Sequence, residues 1–222
     1  MSAPLVIAID GPSGSGKSST SRGVASKLGL DYLDTGSMYR AVTWYMLEHQ
    51  ISVTNSDAVV GALPAVAIRV GTDPQAPGIW VGDTDVSSAI RGPEVTAAVS
   101  SVSAVPQVRA KLVQIQQEVA TSCTSGVVVE GRDIGTVVLP NATLKIFLTA
   151  DGQARAARRA AEQGADQKST AESLQARDVA DTTRSVSPLE KADDAIEVDS
   201  TELTLDEVID TICDLAVARR DN

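Results

Sequence analysis

"AIDGPSGSGKSSTSRGVA", residues 8–25, passes from an apolar run through Gly11, Gly14, Gly16 and Lys17 into a sequence of helical character. Gly11, Gly16, Lys17 and Ser18 fit the pattern G-x-x-x-x-G-K-[ST], and the fit extends to its context, a strand before and a helix after. Glycines let such a loop wrap so that successive backbone N–H groups point inward at phosphate oxygens, helped by the positive end of the following helix. In that geometry Lys17 reaches the β- and γ-phosphates of a nucleoside triphosphate and Ser18 coordinates Mg²⁺. A Gly/Ser-rich βα turn with no ligand is the alternative, and the strand–loop–helix context argues against it. The loop alone leaves the reaction open, because GTPases, motor ATPases and small-molecule kinases share it.

Composition narrows the choice. With 222 residues and 43% hydrophobic content the chain can bury a core, and its length suits one domain with small inserted subdomains. No run of about 18 apolar residues occurs, and residues 1–10 lack the basic flank and long apolar core of a signal peptide. A cytoplasmic chain with no membrane partner is expected. Cys123 and Cys213 form no C-x-x-C pair, so buried free thiols are expected rather than a disulfide or zinc site. A net charge of −10 argues against binding a nucleic acid polymer, though a few arginines could still converge on a small phosphate. Aromatic residues are only 3% of the chain, so a bound base would be read by hydrogen bonds rather than by stacking platforms. The lone His49, in "YMLEHQIS", has no triad-like partner and reads as a helix-end residue.

Strand-like and helix-like runs alternate along the chain. "PLVIAID" predicts a strand, "KSSTSRGVASKLG" a helix ending at Gly29, and "GSMYRAVTWYMLEHQ" a second helix. From Val66 to Arg91 the short runs "AIRV", "GIWVG" and "TDVS", punctuated by "GTDPQAPG" and "GD", predict a small antiparallel insert. Helical spacing returns in "PEVTAAVSSVSA" and in "PQVRAKLVQIQQEVA", the latter opened by Pro106. "GVVVEG" and "TLKIFLT" are continuous β-branched runs of the kind buried on both faces of a parallel sheet. "DGQARAARRAAEQG", "TAESLQARDVADTTR", a strand "AIEVDS" and a closing helix "LTLDEVIDTICDLAVARR" follow. The sum is an α/β fold with a mostly parallel sheet flanked by helices.

Three clusters bear on the reaction. "LDTGSMYR" brings together Asp34, Thr35, Tyr39 and Arg40 at a helix start, although alone it reads as an ordinary capped helix. "VVVEGRDIGTVVLP" delivers Glu130, Arg132 and Asp133 at the carboxyl end of a buried strand, where ligands of open α/β sheets sit; a structural ion pair is the competing reading. Arg155, Arg158 and Arg159, then Arg177, Asp181 and Arg184, form an arginine-dense region. The last three are spaced four and three apart, which predicts one helical face. Beside a phosphate loop this region reads as a clamp closing over phosphoryl groups, rather than as a solvated salt-bridge face.

The motifs "DGPSGSGKSS", "LDTGSMYR", "DVSSAIRGPEV", "EGRDIGTVVLP" and "RDVADTTRSVSPLEKADDAIEVDS" follow one another in the order seen in the bacterial cytidylate kinases, of the nucleoside monophosphate kinase family. The chain resembles that family from about Leu5 to about Leu215, and the insert from roughly Ala62 to Arg91 is similar to the antiparallel piece of the bacterial group. The resemblance implies transfer of the ATP γ-phosphoryl group to CMP or dCMP, with Mg²⁺, on a single kinase domain. Its P-loop core would span 1–35 and 125–222, the NMP-binding region about 36–120 with a small sheet at about 62–91, and a helical lid about 153–175.

Carried over residue by residue, the resemblance puts ATP on Gly11, Pro12, Ser13, Gly14, Ser15, Gly16, Lys17, Ser18 and Ser19, with Arg155 and Arg158 in the helix leading to the lid. Ser100, Arg109 and Asp133 match the positions that read cytosine, and Thr35, Tyr39, Arg40 and Arg132 the acceptor phosphate pocket. Arg177 and Asp181 match contacts to the acceptor phosphate and sugar, and Arg184 an arginine that touches the transferred group. Asp34 is assigned to ordering the metal waters or the acceptor. Thr35 stands where some relatives carry Ser, a departure that keeps the hydroxyl. A monomer is expected. UMP, AMP or a small alcohol such as shikimate remain rival acceptors, whereas a GTPase-like module lacks support, since no N-K-x-D motif occurs.

Overall fold

The computed structural model describes residues 4–164 and 166–220, with the side chains of Glu162 and Gln163 excepted. Residues 1–3 and 221–222 at the ends of the expected core, and Ala165 within the expected lid, lie outside the described residues.

Strand β1 (Leu5–Asp10) runs through the phosphate loop into helix α1 (Lys17–Leu28), which stops at Gly29 in a left-handed conformation. Strand β2 (Asp31–Asp34) leads without a break into helix α2 (Thr35–Glu48), whose first turn is capped by the Asp34 carboxylate accepting from the Ser37 N–H. A short helix α3 (Ser56–Ala62) precedes three strands, β3 (Ile68–Val70), β4 (Ile79–Val81) and β5 (Thr84–Asp85). Helices α4 (Pro93–Ser103) and α5 (Pro106–Ser122) both begin with proline, which has no N–H to leave unsatisfied there. Strand β6 (Gly126–Gly131) ends in a π-helical turn over Ile134–Val138. Strand β7 (Leu144–Thr149), helices α6 (Gly152–Gln163) and α7 (Gln167–Thr183), strand β8 (Ile196–Asp199) and helix α8 (Leu205–Arg220) complete the chain.

The central sheet has five parallel strands in the order β2-β6-β1-β7-β8, and β3-β4-β5 form a separate antiparallel sheet. The central strands are buried on both faces, with alternation dividing their side chains between two cores. Ala8, Leu33, Val127 and Val129 pack toward α2, α4 and α5, while Ile7, Ile9, Val128 and Ile146 pack toward α1 and α8. Burying one such aliphatic side chain contributes about 1.5–3 kcal/mol, so this layered core dominates stability. Cys123 and Cys213 are buried free thiols, as expected. No helix among the described residues is long and apolar enough to cross a membrane.

The small sheet is tied to the core by the loop between β3 and β4. Thr72 accepts a backbone bond from the Tyr32 N–H and donates its hydroxyl to Asp31, and Arg22 donates to the Pro74 carbonyl. One expectation is corrected here: α7 ends at Thr183, and Arg184 is extended (φ −63°, ψ 141°), so Arg177, Asp181 and Arg184 do not share one continuous helix. Arg184 still returns to within 3.5 Å of Asp181, because the chain turns back there and its guanidinium is anchored on the Ser187 carbonyl.

Candidate active site

The carboxyl ends of β1, β2 and β6 open into one cavity of about 540 Å³. At its first end lies the phosphate loop. A Cβ at Gly11 would stand 2.1 Å from the Leu148 carbonyl oxygen, so only glycine lets the loop cross the end of β7. Gly14 and Gly16 have φ of 77° and 86°, the left-handed turns that curl backbone N–H groups inward. Lys17 is buried, folded back to donate to the Pro12 carbonyl at 2.6 Å and to lie 3.4 Å from the Ser15 hydroxyl. Burial, and then the charge of Arg132, push its ammonium well below the usual lysine range.

Across from the loop, the ends of β2 and β6 bring carboxylates together. Asp34 and Glu130 are register partners, and Glu130 is held above the usual carboxylate range, by burial first and then by Asp34. Tyr32 donates its hydroxyl to Glu130, and Thr35 donates to the Glu130 carbonyl at 2.7 Å. Arg91 lies 3.9 Å from the other Asp34 oxygen.

The middle of the cavity is cationic. Arg40, Arg132, Arg159, Arg177 and Arg184 all line it. Burial, then Arg132 and Arg40, push Arg177 down to about 10. Arg40, although beside Asp34, is also lowered, chiefly by burial with Arg159, Arg91 and Arg132 adding to it. So many guanidiniums in one place cost free energy unless an anion joins them. Acids hold some of them in place: Arg132 pairs with Asp181 at 2.8 Å and donates to the Ser13 hydroxyl, while Arg40 donates to the Ile90 carbonyl and Thr96.

At the far end Arg109 and Asp133, 2% and 4% exposed, form an ion pair of 2.5 Å, with Arg184 3.8 Å from the other Asp133 oxygen. Arg109 also donates to the Ser103 carbonyl on α4, beside Ser100, which lines the cavity. Tyr39 reaches this end too: its ring lies 5.1 Å from the Arg109 guanidinium.

Most of the residues named from sequence therefore meet around one cavity, which Ser13, Gly14, Gly16, Lys17, Ser18, Ser19, Asp34, Thr35, Tyr39, Arg40, Ser100, Arg109, Arg132, Asp133, Arg177, Asp181 and Arg184 line. Gly11, Pro12 and Ser15 shape the loop from behind. Two arginines stand outside the lining. Arg155 donates to the Ser13 carbonyl and pairs with Asp178, and Arg158 is held on Ser200 and the Thr201 carbonyl, in the turn after β8.

The family model for cytidylate kinase matches residues 7–218. The chain belongs to the cytidylate kinase family. It is 56% identical over 217 residues, 97% of this chain and 94% of the relative, to a cytidylate kinase of Streptomyces avermitilis. It is 50% identical over 224 residues, 99% and 98% of the two chains, to that of Mycobacterium avium. Among solved structures an uncharacterized protein from Eubacterium ventriosum matches with a TM-score of 0.55, at 14% identity over 96% of this chain and 98% of that one, a likeness of fold.

The chain also carries site residues that its sequence did not single out. Asp10, 5% exposed, accepts from the Ile134 and Gly135 N–H groups at 2.8 and 2.7 Å, which ties the end of β1 to the turn bearing Asp133. Burial pushes its carboxyl up to about 6. An acid closing an apolar strand was the available signal. Asp178 accepts from the Ser13 N–H at 2.9 Å, fixing α7 to the phosphate loop; only its neighbour Arg177 drew notice in sequence.

The donors at the loop fit a small hard cation. Ser18, Asp34 and Glu130 offer oxygens alone, and the two carboxylates are register partners in a setting where Asp34 raises the cost of charging Glu130.

Proposed function

We propose that this chain transfers the γ-phosphoryl group of ATP to CMP or dCMP, giving ADP and CDP or dCDP. The observation that carries the reading is a single cavity running from a phosphate loop, through a cluster of arginines, to a buried Arg109–Asp133 pair. Phosphoryl transfer needs little more than alignment and charge stabilisation, and this arrangement offers both.

Lys17 leaves the Pro12 carbonyl for the β- and γ-phosphate oxygens, and the N–H groups of residues 14–19 cradle the rest of the triphosphate. Ser18, Asp34 and Glu130 would hold Mg²⁺, directly or through water, and the bound ion would supply charge neutralisation to the triphosphate. Arg40, Arg132 and Arg177 grip the CMP phosphate and turn one of its oxygens in line with the γ-phosphorus. No general base is needed, because a phosphate oxygen is already a nucleophile at neutral pH. Arg184, between Asp133 and Asp181, follows the group in flight, a role supported by its charge in the cavity wall.

Cytosine presents an N4 amine as donor and N3 and O2 as acceptors. A carboxylate accepts and a guanidinium donates, so Asp133 facing the amine and Arg109 facing N3 or O2 satisfy it, with Ser100 at the same wall. Uracil would set O4 against the carboxylate. The mutual pairing of Arg109 and Asp133 keeps both charges in register before the base arrives.

Incubation of the purified protein with ATP, Mg²⁺ and CMP tests the proposal: ADP and CDP are expected in equal amounts, with little ATP hydrolysis when CMP is omitted. Rapid phosphate release from ATP or GTP without an acceptor would refute it.

A further inference from the structure

Helix α5 presents Val108, Arg109, Leu112, Gln116 and Ala120 to the interior. Gln116 is the exception to an otherwise apolar continuation of that stripe, one face and two turns beyond Arg109. It is 1% exposed, and neither its Nε2 nor its Oε1 has a hydrogen-bond partner. Its amide lies beside the Tyr39 hydroxyl, which, like the Nε of Arg109, has no hydrogen-bond partner of its own. Gln116 does not line the cavity; Tyr39 and Arg109 do.

Buried amides without partners are rare in folded proteins because each forfeits its hydration, and an apolar residue of the same length would be more stable here. A polar group kept at such a cost points to a task. The geometry supplies one: Gln116 meets the hydroxyl of Tyr39, the Tyr39 ring lies under the Arg109 guanidinium, and Arg109 pairs with Asp133.

We propose that Gln116 is a positioning residue for base recognition, its amide taking up the Tyr39 hydroxyl when the pyrimidine binds, so that the Tyr39 ring holds the Arg109 guanidinium against the pyrimidine edge. The inference rests on the reading of Arg109 and Asp133 as the base-recognition pair. Gln116 touches no substrate. It acts on the angle of Arg109, and therefore on KM for the acceptor and on discrimination between cytosine and uracil. ATP binding, at the other end of the cavity, lies outside its reach.

Gln116→Met keeps the length and removes the polar atoms. The expected result is a KM for CMP raised by about tenfold, a CMP/UMP ratio of kcat/KM lowered by a similar factor, an unchanged KM for ATP, and a melting temperature equal to or above that of the parent. A purely structural amide predicts the opposite division: a changed melting curve with the CMP/UMP ratio intact, and that result overturns the inference. Should Gln116→Met fail to fold, Tyr39→Phe examines the same contact from its other side, removing the hydroxyl and keeping the ring. A lowered CMP/UMP ratio supports the inference, and a parental ratio overturns it. If the unaltered protein shows no preference for CMP over UMP, the base-recognition reading itself fails, and the inference with it.

Discussion

Lys17 is a cation buried among cations, held by the carbonyl it folds onto, the Ser15 hydroxyl and the charges of Glu130 and Asp10. Replacing it by Met removes the desolvated charge, so the melting temperature should hold or rise while kcat falls by about a hundredfold or more, the scale of losing one preorganised contact to the transition state. Near-parental kcat would remove Lys17 from the chemistry. Asp133→Asn tests base reading: the amide can turn its NH₂ toward O4 of uracil, so CMP turnover should fall more than UMP turnover. The same change strands the buried Arg109 charge, which by itself can cost about 3–5 kcal/mol, so the ratio of the two substrates is the diagnostic and stability is not. Parallel loss of both activities would leave Asp133 only a structural partner of Arg109. Asp10 gives a pH signature. Burial lifts its folded value to about 6, above the ordinary 3.8, so its neutral form is favoured by folding, and this contribution is full below about 3.8 and is lost as pH rises through about 6. The stability gap between the parent and Asp10→Asn should therefore shift in favour of the parent as pH falls from about 6 toward 4; a gap constant across that range would contradict the assignment.

At the scale of elements, the strand–loop–helix around residues 8–25 was legible because its signals are local: an apolar run, glycines where the chain must curl, and Lys17-Ser18 at the helix start. The small sheet was legible for the same reason, through its turn residues. The docking of the Thr72–Gln75 segment on α1 and β2, and the Asp10 bonds to the turn after β6, depend on partners far away in sequence and leave no local trace. Arg184 shows the limit of spacing arguments. The four-and-three pattern brought it to the right neighbours, but the helix ended one residue earlier. Helices α6 and α7, which span the segment expected to act as a lid, meet the loop through Leu174 and Arg155 beside Gly14, through Arg155 on the Ser13 carbonyl and through Asp178 on the Ser13 N–H. Most of these anchors are polar, so closure is expected to depend on phosphate charge. Hydrogen exchange should show residues 153–175 exchanging faster than the central strands in the free protein and becoming protected with CMP and a nonhydrolysable ATP analogue. Equal protection in both states would dismiss the lid.

For the whole molecule, a net charge of −10 surrounds a cavity crowded with arginines, so the cationic field is confined to the place where phosphates are proposed to meet. We propose that the chain works as a monomer; activity per chain should stay constant as the protein is diluted, and a loss on dilution would indicate a required partner. The candidate residues were legible because phosphate chemistry calls for glycines, lysine and arginine in recurrent patterns. Gln116 and Asp178 were hidden because their importance lies in what surrounds them. The most direct test is kcat/KM for CMP, dCMP, UMP and AMP, followed by ADP release at fixed ATP and Mg²⁺. CMP and dCMP should lead by a wide margin, up to about 10⁴-fold over an acceptor with the wrong hydrogen-bond pattern, whereas AMP or UMP used as well as CMP would contradict a cavity built to read cytosine.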